Sequence, residues 1–401
     1  MTALWDRQLR EETAMDVIMP VAPPLAEMQW WPDEGAVWVR DPRKSAPGLD
    51  SILSWGFDLG ASRVAFQTGH PVWLRIHGLN RRVTQHSLDE SEVAQIANHL
   101  YGADGTARLQ GGQDFDVSYE VARSRTKRLR FRLNATPTRT SRRDGANIVL
   151  RPISDLPPTL EAQLVEPTIL ETFRPRDGMV IVSGGTGSGK STLIAGFTMA
   201  KLADPNGHYN ITEGAAPVEF LLDRVKSPSS TINQTEIPRD LPTFEGFIRG
   251  CMRREPTDII VGECRDSATM TAAVQAAISG HTVTTTIHSY DVASTMQRIA
   301  SLCPPDERDH LISAVAQSLR LIINQRLALS TDGRRTALRE FLVFDAKLRT
   351  RFLQTDPADW PALTRTAVEQ QGQPYPVAIR RALEEGRITP ETAAYELREL
   401  G

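Results

Sequence analysis

The chain has 401 residues, room for two or three domains. Hydrophobic residues make up 40% and charged residues 24%, the balance of a globular protein, which excludes a low-complexity or fibrous chain. A net charge of −3 excludes bulk attraction to polyanions, so any nucleic-acid site has to be a local patch.

Residues 1–17 mix acids with bases around no apolar core, so a secretory signal is not expected. No apolar run reaches the ~18 residues that a membrane span needs. The three cysteines, Cys251, Cys264 and Cys303, have no metal spacing, and their odd number favours a reducing compartment. Residues 1–45, broken by Pro23-Pro24 and Asp41-Pro42, read as an arm or a short added strand. Regular signals then begin. Residues 51–59 read as a helix, and 63–67 and 72–77 as strands around the turn 68–71. Residues 88–101 have helical spacing, with Val93, Ile96, Ala97 and Leu100 on one stripe. Strands are expected over 115–121 and 128–133, completing a small α+β module. In the second of these, Leu129, Phe131 and Leu133 alternate with Arg128, Arg130 and Arg132. Period-two alternation turns the apolar set inward and makes a guanidinium row outward, in a region made more basic by Arg123, Arg125 and Lys127. Such a row is either a solvated sheet face or a set of arginines offered to phosphate. The prolines of 152–158 mark a linker, and 159–170 reads as a helix leading into the next part.

The strongest stretch is Gly184-Gly185-Thr186-Gly187-Ser188-Gly189-Lys190-Ser191, followed by Thr192. It fits the phosphate-loop template. Glycines let consecutive backbone N–H groups face phosphate oxygens without a Cβ in the way. Lys190 reaches the terminal phosphates and Ser191 offers a hydroxyl to Mg²⁺. The flanks agree, with a buried strand over 179–182 and a helix over 193–200, so a helix N-terminus points at the anion. Downstream, Pro217-Val218-Glu219 puts a carboxylate after a strand end, and 244–254 reads as a helix. Residues 258–263 form a β-branched strand ending in Glu263, ahead of Arg265 and of Asp266, a helix cap for 267–279. Ligands of open α/β sheets lie beyond the strands' carboxyl ends, which places Glu263 beside Mg²⁺ or the attacking water. A strand between His281 and His288 follows, then a helix over 311–323, a strand over 337–344, and short helices separated by prolines to the end.

The phosphate loop, the Pro-Val-Glu segment, the Gly262-to-Asp266 box and the two-histidine strand come in the order of the secretion ATPases, which power type II secretion, type IV pili and type IV secretion. The resemblance runs from about residue 48 to 345. It is most like the type IVB branch, the Dot/Icm-type and IncI-like conjugative-transfer ATPases, to which 235–239 and 338–345 are similar. It implies an α/β protein with a PAS-like domain over 46–155 and a RecA-like ATPase domain over 159–345; the arm over 1–45 and a helical extension over 346–401 lie outside the resemblance and are read from the residues themselves. It implies ATP and Mg²⁺, a homohexameric ring with nucleotide between subunits, and a cytoplasmic place on the bacterial inner membrane. There the partners would be a secretion or transfer complex and a second secretion ATPase, with no direct contact to nucleic acid. Carried over by residue, Glu219, Glu263 and His288 are catalytic. Gly185 to Thr192, Arg130, Arg132, Arg151, His281 and Arg265 hold nucleotide, and Ser191 and Glu263 hold the metal. The arginines at 130 and 132 would reach the nucleotide from another domain or subunit. Two positions depart from the family pattern. Ala215 stands where an acid is usual, with Glu213 two residues off and able to replace it only through a bulge. Thr257 stands where an acid often precedes the second strand, with Asp258 one residue late.

The mechanism implied has Lys190 and Ser191 neutralising phosphate, Glu219 orienting or deprotonating water, and arginines stabilising the departing charge. A DNA-translocating motor and a non-hydrolysing, nucleotide-gated scaffold are the alternatives that the same residues permit.

Overall fold

The computed structural model describes residues 30–32, 47–76, 79–124, 128–140, 144–153 and 156–400. Of the arm, only residues 30–32 are described, with the Trp31 N–H donating to Val83 O at 2.9 Å. The rest of 1–45, like Arg125 and Lys127, lies outside the described residues. Two compact units emerge, 1–114 with 135–151, and 115–134 with 152–401.

The first unit begins with the helix Pro47–Asp58 and the strands β1 Ala61–Gln67, β2 Trp73–Ile76 and β3 Leu79–Arg82. The helix Glu90–Tyr101 follows behind an Asp89–Glu92 capping box, and it buries the stripe Val93, Ile96, Ala97 and Leu100. The strands β4 Phe115–Ala122, β5 Arg128–Arg139 and β6 Asp144–Ile153 follow. β3, β2, β1 and β6 lie side by side in that order, β1 antiparallel to both neighbours.

β4 and residues 128–134 of β5 belong to the second unit. Its main sheet is built from β7 Gly178–Ser183, β8 Asn210–Ala215, β9 Thr231–Glu236, β10 Asp258–Val261, β11 Thr282–Ile287, β12 Leu319–Leu329 and β13 Arg335–Val343. The order is β13-β12-β7-β11-β10-β8-β9. Only β12 and β13 pair antiparallel among the pairings of this sheet. A sheet covered on both faces reads as continuous apolar runs, and all six residues of β7 are buried. Its side chains still alternate between layers. Met179 and Ile181 join the core under the helices Ser267–Ile278 and Arg308–Ser318, whereas Val180 and Val182 join the core under the helix Lys190–Ala203.

Three expectations change. The helix expected over 159–170 is a turn, with a helix only over Pro167–Thr172. Proline pushes the residue before it out of the helical region, and Glu166 is accordingly extended. The helix expected over 311–323 ends at Ser318. Leu319 to Ile323 instead pair with β7, because β-branched residues between two strands gain more from the ladder than from a helix. The outward arginine row does not form. Leu129, Phe131 and Leu133 are buried as expected, but Arg130 is only 3% exposed and Arg132 is paired with Asp116 at 3.0 Å. Among the described residues of 128–133, only Arg128 is left as an exposed guanidinium. Asp258, one residue late for the family's acid, begins β10 at the end away from the phosphate loop and forms a buried ion pair with Lys201, which also lies over the Phe173 and Tyr209 rings. Strands over 144–153 and 231–236 and the helix Val292–Leu302 were not expected.

The C-terminal prolines start helices rather than merely separating them. Pro361, Pro376 and Pro390 stand in the first turns of Trp360–Gln371, Tyr375–Glu384 and Pro390–Arg398. These helices pack on their own unit. Phe352 and Trp360 meet edge-to-face at 5.5 Å in the main core, and Tyr375 and Ile379 pack with Ala328 and Leu338 of β12 and β13.

Candidate active site

Residues 184–189 connect β7 to the helix Lys190–Ala203. Gly189 caps that helix in the left-handed region, at φ 84°, where a side chain would be strained. Ser188 is buried, and its Oγ has no hydrogen-bond partner among the described residues. Lys190 is 8% exposed and donates from Nζ to Gly184 O at 2.9 Å and Gly185 O at 2.8 Å. Gly185, Thr186 and Gly187 are exposed, as is Ser191 at the mouth of the helix. An ammonium resting on backbone carbonyls, an unpartnered hydroxyl and a helix N-terminus form a cradle for an anion. It opens on a cavity of about 490 Å³ lined by Thr186 through Thr192.

The opposite wall comes from strand ends. Parallel pairing of β8, β10 and β11 sets their carboxyl ends level, and Gly262 N donates to Gly214 O at 2.7 Å. Glu219, Glu263, Arg265 and His288 therefore line the same cavity. Glu263 Oε1 accepts from Arg265 Nε at 2.5 Å and lies 3.4 Å from His288 Nε2. Burial, then the Lys190 charge, lowers the His288 pKa and so keeps the ring neutral near pH 7, against the pull of Glu263. Burial also lowers the Lys190 pKa, while Glu263 and Glu219 hold it up. Arg132 reaches the cavity within its own chain, with Nη1 3.7 Å from Glu219 Oε1.

Three expected residues are placed elsewhere. Arg130 does not line the cavity. Its guanidinium lies beneath the Glu219 segment, donating to Val218 O at 3.0 Å and Glu219 O at 3.2 Å, so it shapes the loop that carries Glu219. His281 precedes β11, at the opposite end of the strand from His288. Its Nδ1 meets Pro256 O at 3.1 Å, so in this chain it is not brought to the phosphate loop. Arg151 is exposed on β6 in the first unit and is absent from the cavity wall.

Glu213 needs no bulge. It is two residues from Ala215, hence on the same face of β8, and both line the cavity. Gln234 Nε2 donates to Glu213 Oε2 at 2.6 Å. Burial pushes the carboxyl up to about 7, with the Gln234 hydrogen bond opposing and the Glu219 charge adding. The folded carboxyl keeps its proton to about pH 7, whereas an unfolded one releases it near 4.5. The stability associated with this group is whole below pH 4.5 and is lost as pH rises to 7. Glu213→Gln is expected to be more stable than the parent above pH 7, by up to about 3 kcal/mol, and equal to it near pH 4. Melting temperatures across that range test this, and parallel curves would contradict it.

The type II/IV secretion system protein family matches residues 58–373. The chain belongs to this family. Among its relatives, the type IV pilus retraction ATPase PilT of Pseudomonas aeruginosa is 28% identical over 350 residues, covering 86% of this chain and 96% of that one. The uncharacterised protein YggR of Escherichia coli is 32% identical over 297 residues, covering 74% and 86%. Among solved structures, the Legionella pneumophila ATPase DotB superposes with a TM-score of 0.84 at 34% identity, over 93% of this chain and 99% of that chain. The pilus retraction motor PilT with bound ADP gives 0.72 at 26%, over 87% and 96%. This member of the secretion ATPases thus has the mixed α/β fold of that group, and its cradle fits a nucleotide. The oxygen donors of Ser191 and Glu263 suit Mg²⁺ held jointly with phosphate.

Proposed function

We propose that this secretion ATPase is the ATP-hydrolysing motor of a type IVB-like secretion or conjugative transfer system. In this reading it works as a homohexamer at the bacterial inner membrane, with a PAS-like domain over 46–155 and a RecA-like domain over 159–345. One observation carries the proposal: the phosphate loop shares a single cavity with the carboxylates of Glu219 and Glu263 and the guanidinium groups of Arg132 and Arg265. The likeness to DotB supports the type IVB branch.

Each residue then has a task. Lys190 and the loop amides hold the terminal phosphates, and Ser191 and Glu263 would hold Mg²⁺, whose charge polarises the phosphate. Glu219 orients the attacking water and takes its proton. Glu219 sits 3.7 Å from Arg132, so the water's carboxylate and the phosphate's arginine are neighbours in the cavity. Neutral His288 meets Glu263 and senses the terminal phosphate. Arg132 and Arg265 stabilise the charge of the leaving phosphoryl group, an effect worth ~4–7 kcal/mol where such arginines have been measured. No helix among the described residues is long and apolar enough to cross a membrane. Attachment in this reading goes through the secretion complex, with a second secretion ATPase as a candidate partner.

The purified chain is expected to hydrolyse ATP and, with nucleotide, to sediment as a particle of six copies. Turnover by a chain that stays monomeric with nucleotide at micromolar concentration would remove the ring. Nucleotide binding with no turnover would leave the gated scaffold instead.

A further inference from the structure

The phosphate loop is gripped from behind by a buried polar chain to which the reaction assigns no part. Gln325, on β12, is 2% exposed and donates from Nε2 to Ser188 O at 2.7 Å. Its Oε1 accepts from Arg339 Nε at 2.7 Å. Arg339, on β13, is 1% exposed. Three more of its N–H groups go to Leu164 O at 3.0 Å, Glu166 Oε2 at 3.0 Å and Gln163 O at 2.9 Å. Gln373 closes the chain, donating to Arg339 O at 2.9 Å and Glu166 Oε1 at 3.3 Å. The fit around the loop is close. A Cβ on Gly184 would stand 2.2 Å from Gln325 O, and one on Gly189 2.8 Å from Gln325 Nε2.

Two physical points follow. A buried ion pair is weak evidence for stability, since apolar residues of similar volume commonly serve as well, so a buried guanidinium with four of its five N–H groups matched calls for another reason. An amide side chain also has two ends of opposite character. Gln325 can offer N–H to the loop only while its oxygen faces a donor. Arg339 supplies that donor, and rotation of the amide would set oxygen against the Ser188 carbonyl.

We propose that Gln325 and Arg339 are positioning residues for the nucleotide. Gln325 fixes the Ser188–Gly189 peptide so that the following amides face phosphate, and Arg339 acts through Gln325 by fixing its amide orientation. Because Arg339 also holds 163–166, the segment leading into the helix Pro167–Thr172, the loop's shape is tied to that segment. The inference rests on the reading of the cavity as a nucleotide site.

The test is binding of a fluorescent ADP, with melting temperature measured without nucleotide. Gln325→Leu is expected to weaken ADP by roughly tenfold or more, the loss of one hydrogen bond at a charged ligand's loop, and to melt within a few degrees of the parent. Gln325→Glu keeps the Arg339 partner and the shape but sets an acceptor against the Ser188 carbonyl, so at neutral pH it should lose affinity as Gln325→Leu does. Arg339→Met combined with Glu166→Gln should lose affinity too, and adding Gln325→Leu to that pair should cost little more. Folded Gln325 variants that bind ADP as the parent does overturn the inference. Additive losses overturn the part assigned to Arg339. A parent that does not bind ADP overturns the site instead.

Discussion

Lys190→Ala is expected to abolish ATP turnover and to weaken ADP by about two to three orders of magnitude. The ammonium is buried among loop carbonyls, Gly184 O and Gly185 O, and it is the cation at the foot of the cradle. Its hydrogen bonds to phosphate are charge-assisted, each worth ~1.5–3 kcal/mol, and alanine removes them together. The change should leave the fold intact. It deletes a charge rather than stranding one, since the groups that Lys190 touches without nucleotide are carbonyls of an exposed loop. Calorimetric titration with ADP, phosphate release and a melting curve measure the three parts. Turnover near the parent rate would mean that the phosphates lie elsewhere.

Glu263→Gln is expected to lower turnover by about 10²–10⁴ with ADP affinity changed far less. The substitution keeps volume and one oxygen, so Arg265 and His288 keep a hydrogen-bond acceptor. What goes is the charge that Mg²⁺ and the arginines use. His288 should respond in a defined direction. Glu263 is the charge that raises its pKa against burial, Lys190 and Arg265, with a backbone hydrogen bond at Gly184 adding to it, so the variant's histidine should titrate at lower pH than the parent's. Magnetic resonance of the His288 ring reads that shift independently of activity. A variant with normal turnover would remove Glu263 from the metal's surroundings.

The site was legible where its chemistry is local. The residues from Gly184 to Thr192 are consecutive, and Glu219, Glu263 and His288 each end or follow a strand. An apolar run with an acid behind it is enough to place a carboxylate at a sheet's carboxyl edge. Glu213 was weighed but placed wrongly. Counting two residues from Ala215 already sets both on one face of a strand, and that signal was available. His281 was misled by its symmetry with His288. A parallel strand has only one end at the ligand, and β11 has a histidine at each.

What the linear order could not disclose is what lies beside what. Alternation turned Leu129, Phe131 and Leu133 inward correctly, yet it made Arg130 exposed, because nothing in 128–133 reports that the 218–219 carbonyls cover that face. Helical spacing carried the helix past Ser318, because the strands on either side of 319–323 are contributed by residues 179–183 and 341–343. Gln325 lies 137 positions from Ser188, and Arg339 lies 173 from Glu166. Periodicity acts over a few residues, so the sequence alone determined the anion cradle, the strand-end acids and the class of fold. Burial and hydrogen-bond partnership are set by neighbours distant along the chain. Only the tertiary structure therefore decided which arginine faces the cavity, which acid keeps its proton, and what holds the phosphate loop in shape.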